Sequence, residues 1–244
     1  MSMKQKMGVS VGILVIILAI AIYIFIDSFE KPYEFNVSKE TITEEENDIS
    51  IDVSYPVLPS EYEWVNIHIK EKISQNINSF KEIAEENRQA RIDTDPSYAD
   101  EEIQRGPLYT LSISYEIDGF DASYVSILFV IDEYSGGAHG IRIFETVNAN
   151  LETETFVTLS DILPLTLEEI SKAVKEDIIR QLSERNMGEY ASIKDSLWLD
   201  EGAAALEENF SQFTFNNQTA TLYFPPYQLG PYALGTFRVE IPRE

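Results

Sequence analysis

A chain of 244 residues, 44% of them hydrophobic, is long enough for one large or two small folded domains and too apolar for a disordered one. Its 42 acidic and 18 basic residues leave a net charge of −24, without the clustered lysines and arginines that neutralise nucleic-acid phosphates, so no nucleic-acid partner is expected. The absence of cysteine excludes disulfide frameworks, zinc–thiolate sites, thiol nucleophiles and lipid-modified cysteine anchors.

The run from Gly8 to Ile26 is uncharged and, at roughly 28 Å as a helix, matches the thickness of a bilayer core. Large residues at its exit, "IYIFID", offer no small-residue cleavage site, so an anchor is expected rather than a cleaved signal. Lys4 and Lys6 precede the run, while Asp27 and Glu30 follow it, which orients the N-terminus inward. The expected organisation is a cytoplasmic stub (1–7), a single-pass cell-membrane anchor (8–26), a polar tether (27–47) and an extracytoplasmic domain (48–244). A candidate subdivision separates about 48–106 from 107–244.

Beyond the tether, "DISIDVSYPVL" alternates as a strand that Pro56 should end. Val65, Ile69, Ile73, Ile77, Phe80 and Ala84 recur at helical spacing, predicting a helix from about Ser60, as N-cap, to about Arg91. His68 borders that stripe and reads as a half-exposed helix histidine. The acidic stretch "RIDTDPSYADEEIQRGP" reads as a loop, without the 12-residue signature of a calcium site.

Three strand-like stretches follow: "LYTLSISYEIDGF", "ASYVSILFVIDEY" and "IRIFETVNANLETETFVTL". Asp118–Gly119 reads as a hairpin turn and "SGGAHG" as a longer hairpin connection. "TLSDILP" leads into a second helix with Leu167, Ile170, Val174, Ile178 and Leu182 on one face and a Thr166–Glu169 capping box. A short third helix is a candidate before "FTFNN", where Asn216–Asn217 reads as a tight turn into the closing strands. The predicted class is α+β: antiparallel sheet or sheets with two main helices packed on one face, preceded by a single transmembrane helix.

Nucleophilic chemistry needs a positioned base, and His68 and His139 are the only histidines. No G-x-S-x-G elbow, Walker loop, dinucleotide fingerprint or H-E-x-x-H occurs, and His139 with Asp132 or Glu133 matches no metal-ligand spacing. No cofactor, metal or catalytic residue is therefore assigned. Paired carboxylates for glycan cleavage stay open, because their separation is a spatial property.

Two stretches remain as candidate binding elements. "YSGGAHG" supplies positive-φ positions and reads first as a structural hairpin, second as a binding loop through Tyr134, Gly136, Gly137 and His139. "FPPYQLGPYALG" is either a sheet crossover that packs Tyr227 and Tyr232 inward or, with Pro231, a rigid aromatic ledge for sugar rings or a partner's cleft.

These two stretches, with "SIDVSYPVL", "EYEWVNIHIKEKI", "TLSDILP" and "NFSQFTFNNQTATLYF" in that order, resemble one bacterial extracytoplasmic domain over about residues 48–243. It is the domain of unknown function shared by RsiV-type anti-sigma factors, which are lysozyme receptors, and PdaC-type peptidoglycan deacetylases. The resemblance implies an α+β domain at the cell surface and, as in some members, recognition of lysozyme. It does not carry over a signalling output or a deacetylase reaction, because only a short stub precedes residue 8 and no catalytic domain follows before Glu244. The expected function is a membrane-anchored binding module for a cationic lysozyme-like protein or for peptidoglycan. A wall-glycan hydrolase using paired carboxylates and a structural envelope protein are the alternatives.

Overall fold

The computed structural model describes residues 36–46, 48–98, 108–185 and 196–243. The expected stub and anchor (1–26) and the start of the tether lie outside these residues. Among the described residues no helix is long and apolar enough to cross a membrane.

The first sheet has six strands in sequential order: β1 (Ser38–Glu46), β2 (Ile49–Val57), β3 (Tyr109–Phe120), β4 (Tyr124–Tyr134), β5 (Ile141–Asn150) and β6 (Thr155–Phe156). Residues 38–46 are thus a strand rather than tether, paired along their whole length from Ser38↔Val57 to Glu46↔Ile49. Nearly all of β1 is exposed, so its polar composition hid it: an edge strand shows no buried alternation. Pro56 stays within β2, opposite Lys39, beyond Val53, where pairing with β3 ends. There one side of the strand has no ladder for the missing N–H to break.

β2 and β3 pair in parallel, Ile49↔Tyr109 to Val53↔Ile113, and the helix α1 (Glu63–Thr94) makes the crossover that a parallel pair requires. All six residues of the predicted stripe are buried, and they pack with Ile51, Val53, Leu111, Ile113, Ile127 and Ile131 in one core. A 3₁₀ turn (Ser60–Tyr62) precedes α1, and no Ser60 side-chain cap forms. Asn66 is buried instead in the helix's first turn, where its amide accepts from Leu58 N at 2.9 Å and donates to Leu58 O at 3.0 Å.

β3, β4 and β5 are antiparallel, as their hairpin spacing predicts. The Asp118–Gly119 turn is corrected: the register shifts between Ile117 and Gly119, and the chain reverses at Asp121–Ser123, where Asp121 Oδ1 accepts from Ser123 N and Tyr124 N. Glycine sits in the bulge because a Cβ there would lie 2.4 Å from Phe215 O.

The second sheet, β7 (Phe213–Phe215), β8 (Thr219–Phe224) and β9 (Phe237–Pro242), is an antiparallel meander. Two short helices, α2 (Leu159–Ile162) and α4 (Leu199–Gly202), flank the second main helix, α3 (Leu167–Arg185). The predicted capping box starts α3: Thr166 N donates to Glu169 Oε2 at 2.9 Å, and Glu169 N to Thr166 Oγ1 at 3.3 Å. Ile170, Val174, Ile178 and Leu182 bury against Phe213, Leu222, Phe237 and Val239 in a second core. Each main helix therefore covers its own sheet, and the two do not share one face.

The first core runs from Ile51 to Leu151 and the second from Leu159 to Ile241. A division at 106/107 would instead separate β2 from its partner β3. Between the sheets lies a buried polar seam. Ser126 Oγ donates to Asn148 Oδ1 at 2.6 Å and accepts from Phe215 N at 2.8 Å, while Asn148 Nδ2 donates to Phe213 O at 2.7 Å.

Candidate binding site: an aromatic ledge on two interlocked loops

The β4–β5 connection, Ser135–Gly140, carries positive φ at Gly136 (118°) and Gly137 (95°), as a glycine-rich hairpin should. Tyr134 closes it by donating its hydroxyl to Gly137 O at 3.0 Å, and Asn87 of α1 donates to Ser135 O at 2.7 Å. This turn is both structural hairpin and exposed surface.

The β8–β9 connection is anchored by apolar residues at the positions between its tyrosines. Phe224 and Leu229 are fully buried in the second core, whereas Tyr227 is 46% exposed. Gln228 pins the loop from below, donating to Gly202 O and Asn209 O at 3.0 Å each. Pro231, with φ set near the PPII value, leads into a 3₁₀ turn (Tyr232–Leu234), and Gly235 at φ 71° lets the chain return to β9. Neither Tyr227 nor Tyr232 belongs to the second core, so the reading that packs both inward does not hold.

Tyr227 and His139 belong to loops 88 residues apart, yet they meet. The His139 ring stacks on Tyr232 with centroids 3.6 Å apart, and Tyr227 lies 5.6 Å from Tyr232 and 6.2 Å from His139. Gly140 O is the hub, 2.9 Å from Tyr232 Oη and 3.0 Å from His139 Nδ1. A carbonyl only accepts, so Nδ1 carries the proton and Nε2 is left to accept the Tyr227 hydroxyl at 3.2 Å. The tautomer follows from the network, which ties the three rings to one another and to Gly140.

Gly136 and Gly137 face away from the ledge, and Tyr134 borders both the groove beside it and the space behind the turn. All three line a cleft of about 590 Å³ with Asn87, Arg91, Tyr98 and Tyr109. A shallower groove of about 530 Å³ runs beside the ledge, bordered by Tyr232, Pro226, Asp132 and Arg142. Arg142 and Asp132 form a two-bonded pair at 2.7 and 2.8 Å. No sequence signal marks Gly140 O, Gln228 or Asn87 as the groups that lock these loops, because each acts through partners distant in the chain.

His68 lies on α1 with its ring 4.3 Å from Phe156, and burial, then the Lys72 charge, lowers its pKa. Asp161 and Glu169 have lowered pKa values because each accepts backbone and side-chain hydrogen bonds, from Thr158 and Thr166 respectively, as capping acids. Among the described residues, no group of three or more His, Asp or Glu side chains is placed to hold a metal ion.

Residues 28–142 match the family model "Deacetylase PdaC", and residues 160–244 match "Protein of unknown function (DUF3298)". Among curated proteins, the chain is 27% identical over 206 residues to peptidoglycan-N-acetylmuramic acid deacetylase PdaC of Bacillus subtilis (strain 168). That match covers 84% of this chain and 40% of the relative, so the chain spans well under half of the relative's length. A solved DUF3298-family structure from Bacteroides fragilis NCTC 9343 is 20% identical, covers 86% of this chain and 90% of its own, and superposes with a TM-score of 0.53. Another, from Pseudomonas aeruginosa PAO1, is 15% identical with coverages of 87% and 92% and a TM-score of 0.54. These two share the fold. The boundary between the family matches, residues 143–159, contains the break between the two cores. The chain is thus similar to the PdaC model over most of its first core and to the DUF3298 model over nearly all of its second.

Proposed function

We propose that this chain is an extracytoplasmic binding module of the bacterial cell envelope, tethered through residues 8–26, whose ledge of His139, Tyr227 and Tyr232 contacts a cationic, lysozyme-like wall-degrading enzyme. The observation that supports this most is the ledge itself: the exposed rings of His139 and Tyr227 and the half-buried ring of Tyr232, held in place by hydrogen bonds within and between two loops. Order present before binding lowers the entropy cost of association, and aromatic anchors are the side chains that carry interface energy. A net charge of −24 would speed encounter with a cationic partner. The Asp132 carboxylate beside the ledge is committed to Arg142, which favours binding over acid catalysis there.

Peptidoglycan is the second reading. The similarity to a deacetylase whose name specifies peptidoglycan supports it, as does the fit of flat rings to sugar faces. The test is binding of residues 28–244 to a cationic lysozyme and to insoluble peptidoglycan, each at low and high salt, for the wild type and Tyr227→Ala. Saturable one-to-one lysozyme binding, weakened by salt and by Tyr227→Ala, is the expected result. Peptidoglycan binding alone moves the assignment to glycan. Binding to neither overturns both readings.

A further inference from the structure

On the other side of the glycine turn, the cleft between the C-terminal end of α1 and the β4–β5 connection contains a buried donor with nothing to bond. Tyr109 is 1% exposed, and its hydroxyl has no hydrogen-bond partner. Its neighbours are committed: Tyr98 donates to Asp48 Oδ2 at 2.6 Å, and Asn87 donates to Ser135 O at 2.7 Å. Native proteins satisfy the large majority of buried polar groups, so an orphan lining a cleft marks a place for something that accepts.

A second donor faces the same space. The Arg91 guanidinium stands 5.0 Å from the centre of the Tyr98 ring, and no carboxylate of the described residues forms an ion pair with it. Burial lowers the Arg91 pKa, and the nearby Tyr98 and Tyr109 hydroxyls more than reverse it. Asp95, also on the cleft wall, has its Oδ1 occupied by Ser97 N at 3.0 Å and Ser97 Oγ at 2.6 Å. Gly136 contributes bare backbone: a Cβ there would lie 3.5 Å from Tyr109 Cε1.

A cation and a hydroxyl, both able to donate, line one cleft of about 590 Å³. A carboxylate accepts from both at once. We propose that this cleft is a second site, separate from the ledge, that takes a carboxylate-bearing amino sugar. Arg91 and Tyr109 bind the carboxylate. The choice of a sugar rests on the envelope reading above; the donor pair does not.

The matched probes are N-acetylmuramic acid, which carries a carboxylate on a lactyl ether, and N-acetylglucosamine, which lacks it. Each is titrated into the full chain by NMR or calorimetry, for the wild type and for Tyr109→Phe, Arg91→Gln and Tyr227→Ala. N-acetylmuramic acid is expected to bind about tenfold or more tightly than N-acetylglucosamine, with a loss of about tenfold or more in Arg91→Gln and about fivefold in Tyr109→Phe. Tyr227→Ala should leave sugar binding unchanged. Tyr109→Phe removes only an unpaired hydroxyl, so its thermal midpoint should equal or exceed the wild type's, which separates lost binding from lost fold. Equal affinity for the two sugars, no binding of N-acetylmuramic acid, or indifference to both cleft substitutions overturns the proposal. Loss of the sugar in Tyr227→Ala does so too, by placing it on the ledge. Lysozyme binding that survives Arg91→Gln but fails in Tyr227→Ala would leave the ledge reading standing whatever the sugars do.

Discussion

The imidazole of His139 lies flat on the phenol ring of Tyr232, with centroids 3.6 Å apart and planes inclined by 17°. Both side chains reach the same carbonyl, Gly140 O, so the stack and its hydrogen bonds tie the β4–β5 loop to the β8–β9 loop. One loop belongs to the six-stranded sheet and the other to the three-stranded sheet. The ledge therefore exists only when the two sheets are docked.

Tyr227 adopts φ 72°, a left-handed conformation that costs a non-glycine residue about 1–2 kcal/mol. Its exposed ring gives little packing in return, so the strain serves to aim the side chain. Tyr227→Gly should be more stable than Tyr227→Ala by about 1 kcal/mol in urea unfolding, while both weaken partner binding alike. A glycine variant less stable than the alanine variant would show that no strain is stored there.

Gly202 supports the ledge from beneath. A Cβ at this position would sit 1.9 Å from Gln228 O, a backbone atom that cannot rotate away. Gly202→Ala should cost about 1–3 kcal/mol through overpacking and should also weaken ledge binding, because Gln228 follows Tyr227 directly. Unchanged binding with lowered stability would mean that the displaced backbone does not reach the ring.

Ser126 is fully buried and satisfies Phe215 N across the sheets. Ser126→Ala leaves that N–H without its partner and should cost about 1–3 kcal/mol in the unfolding free energy. A loss within error of zero would mean that the seam holds the sheets together without Ser126.

The lowered pKa of His68 makes stability depend on pH with a definite sign. The unfolded chain binds the proton at the ordinary value of 6.5, above the folded value, so the unfolded state holds more protons in between. The contribution is complete above about pH 6.5 and is lost as pH falls from there toward the folded pKa. Between pH 7.5 and 5.5, the urea midpoint of His68→Gln should fall less than that of the wild type. An equal fall would assign the pH dependence to the carboxylates.

The sequence by itself determined the elements whose cause is local. The stripes Val65–Ala84 and Leu167–Leu182 specify two helices, since burial at helical spacing needs no knowledge of the partner. Thr166 and Glu169 specify where the second begins, and the glycines after Ser135 specify a turn. Only the tertiary structure decided what those faces meet. A stripe records that it must be covered but not by which sheet, so the pairing of one helix with each sheet was not legible. The parallel partnership of β2 with β3 and the exposed strand β1 depend on backbone ladders between distant residues, which leave no side-chain period at an edge. The same holds for the sites. The composition of the two loops advertised aromatic rings and positive-φ turns, but the Gly140 hub and the orphaned Tyr109 hydroxyl are backbone and burial effects that appear only when the chain closes on itself.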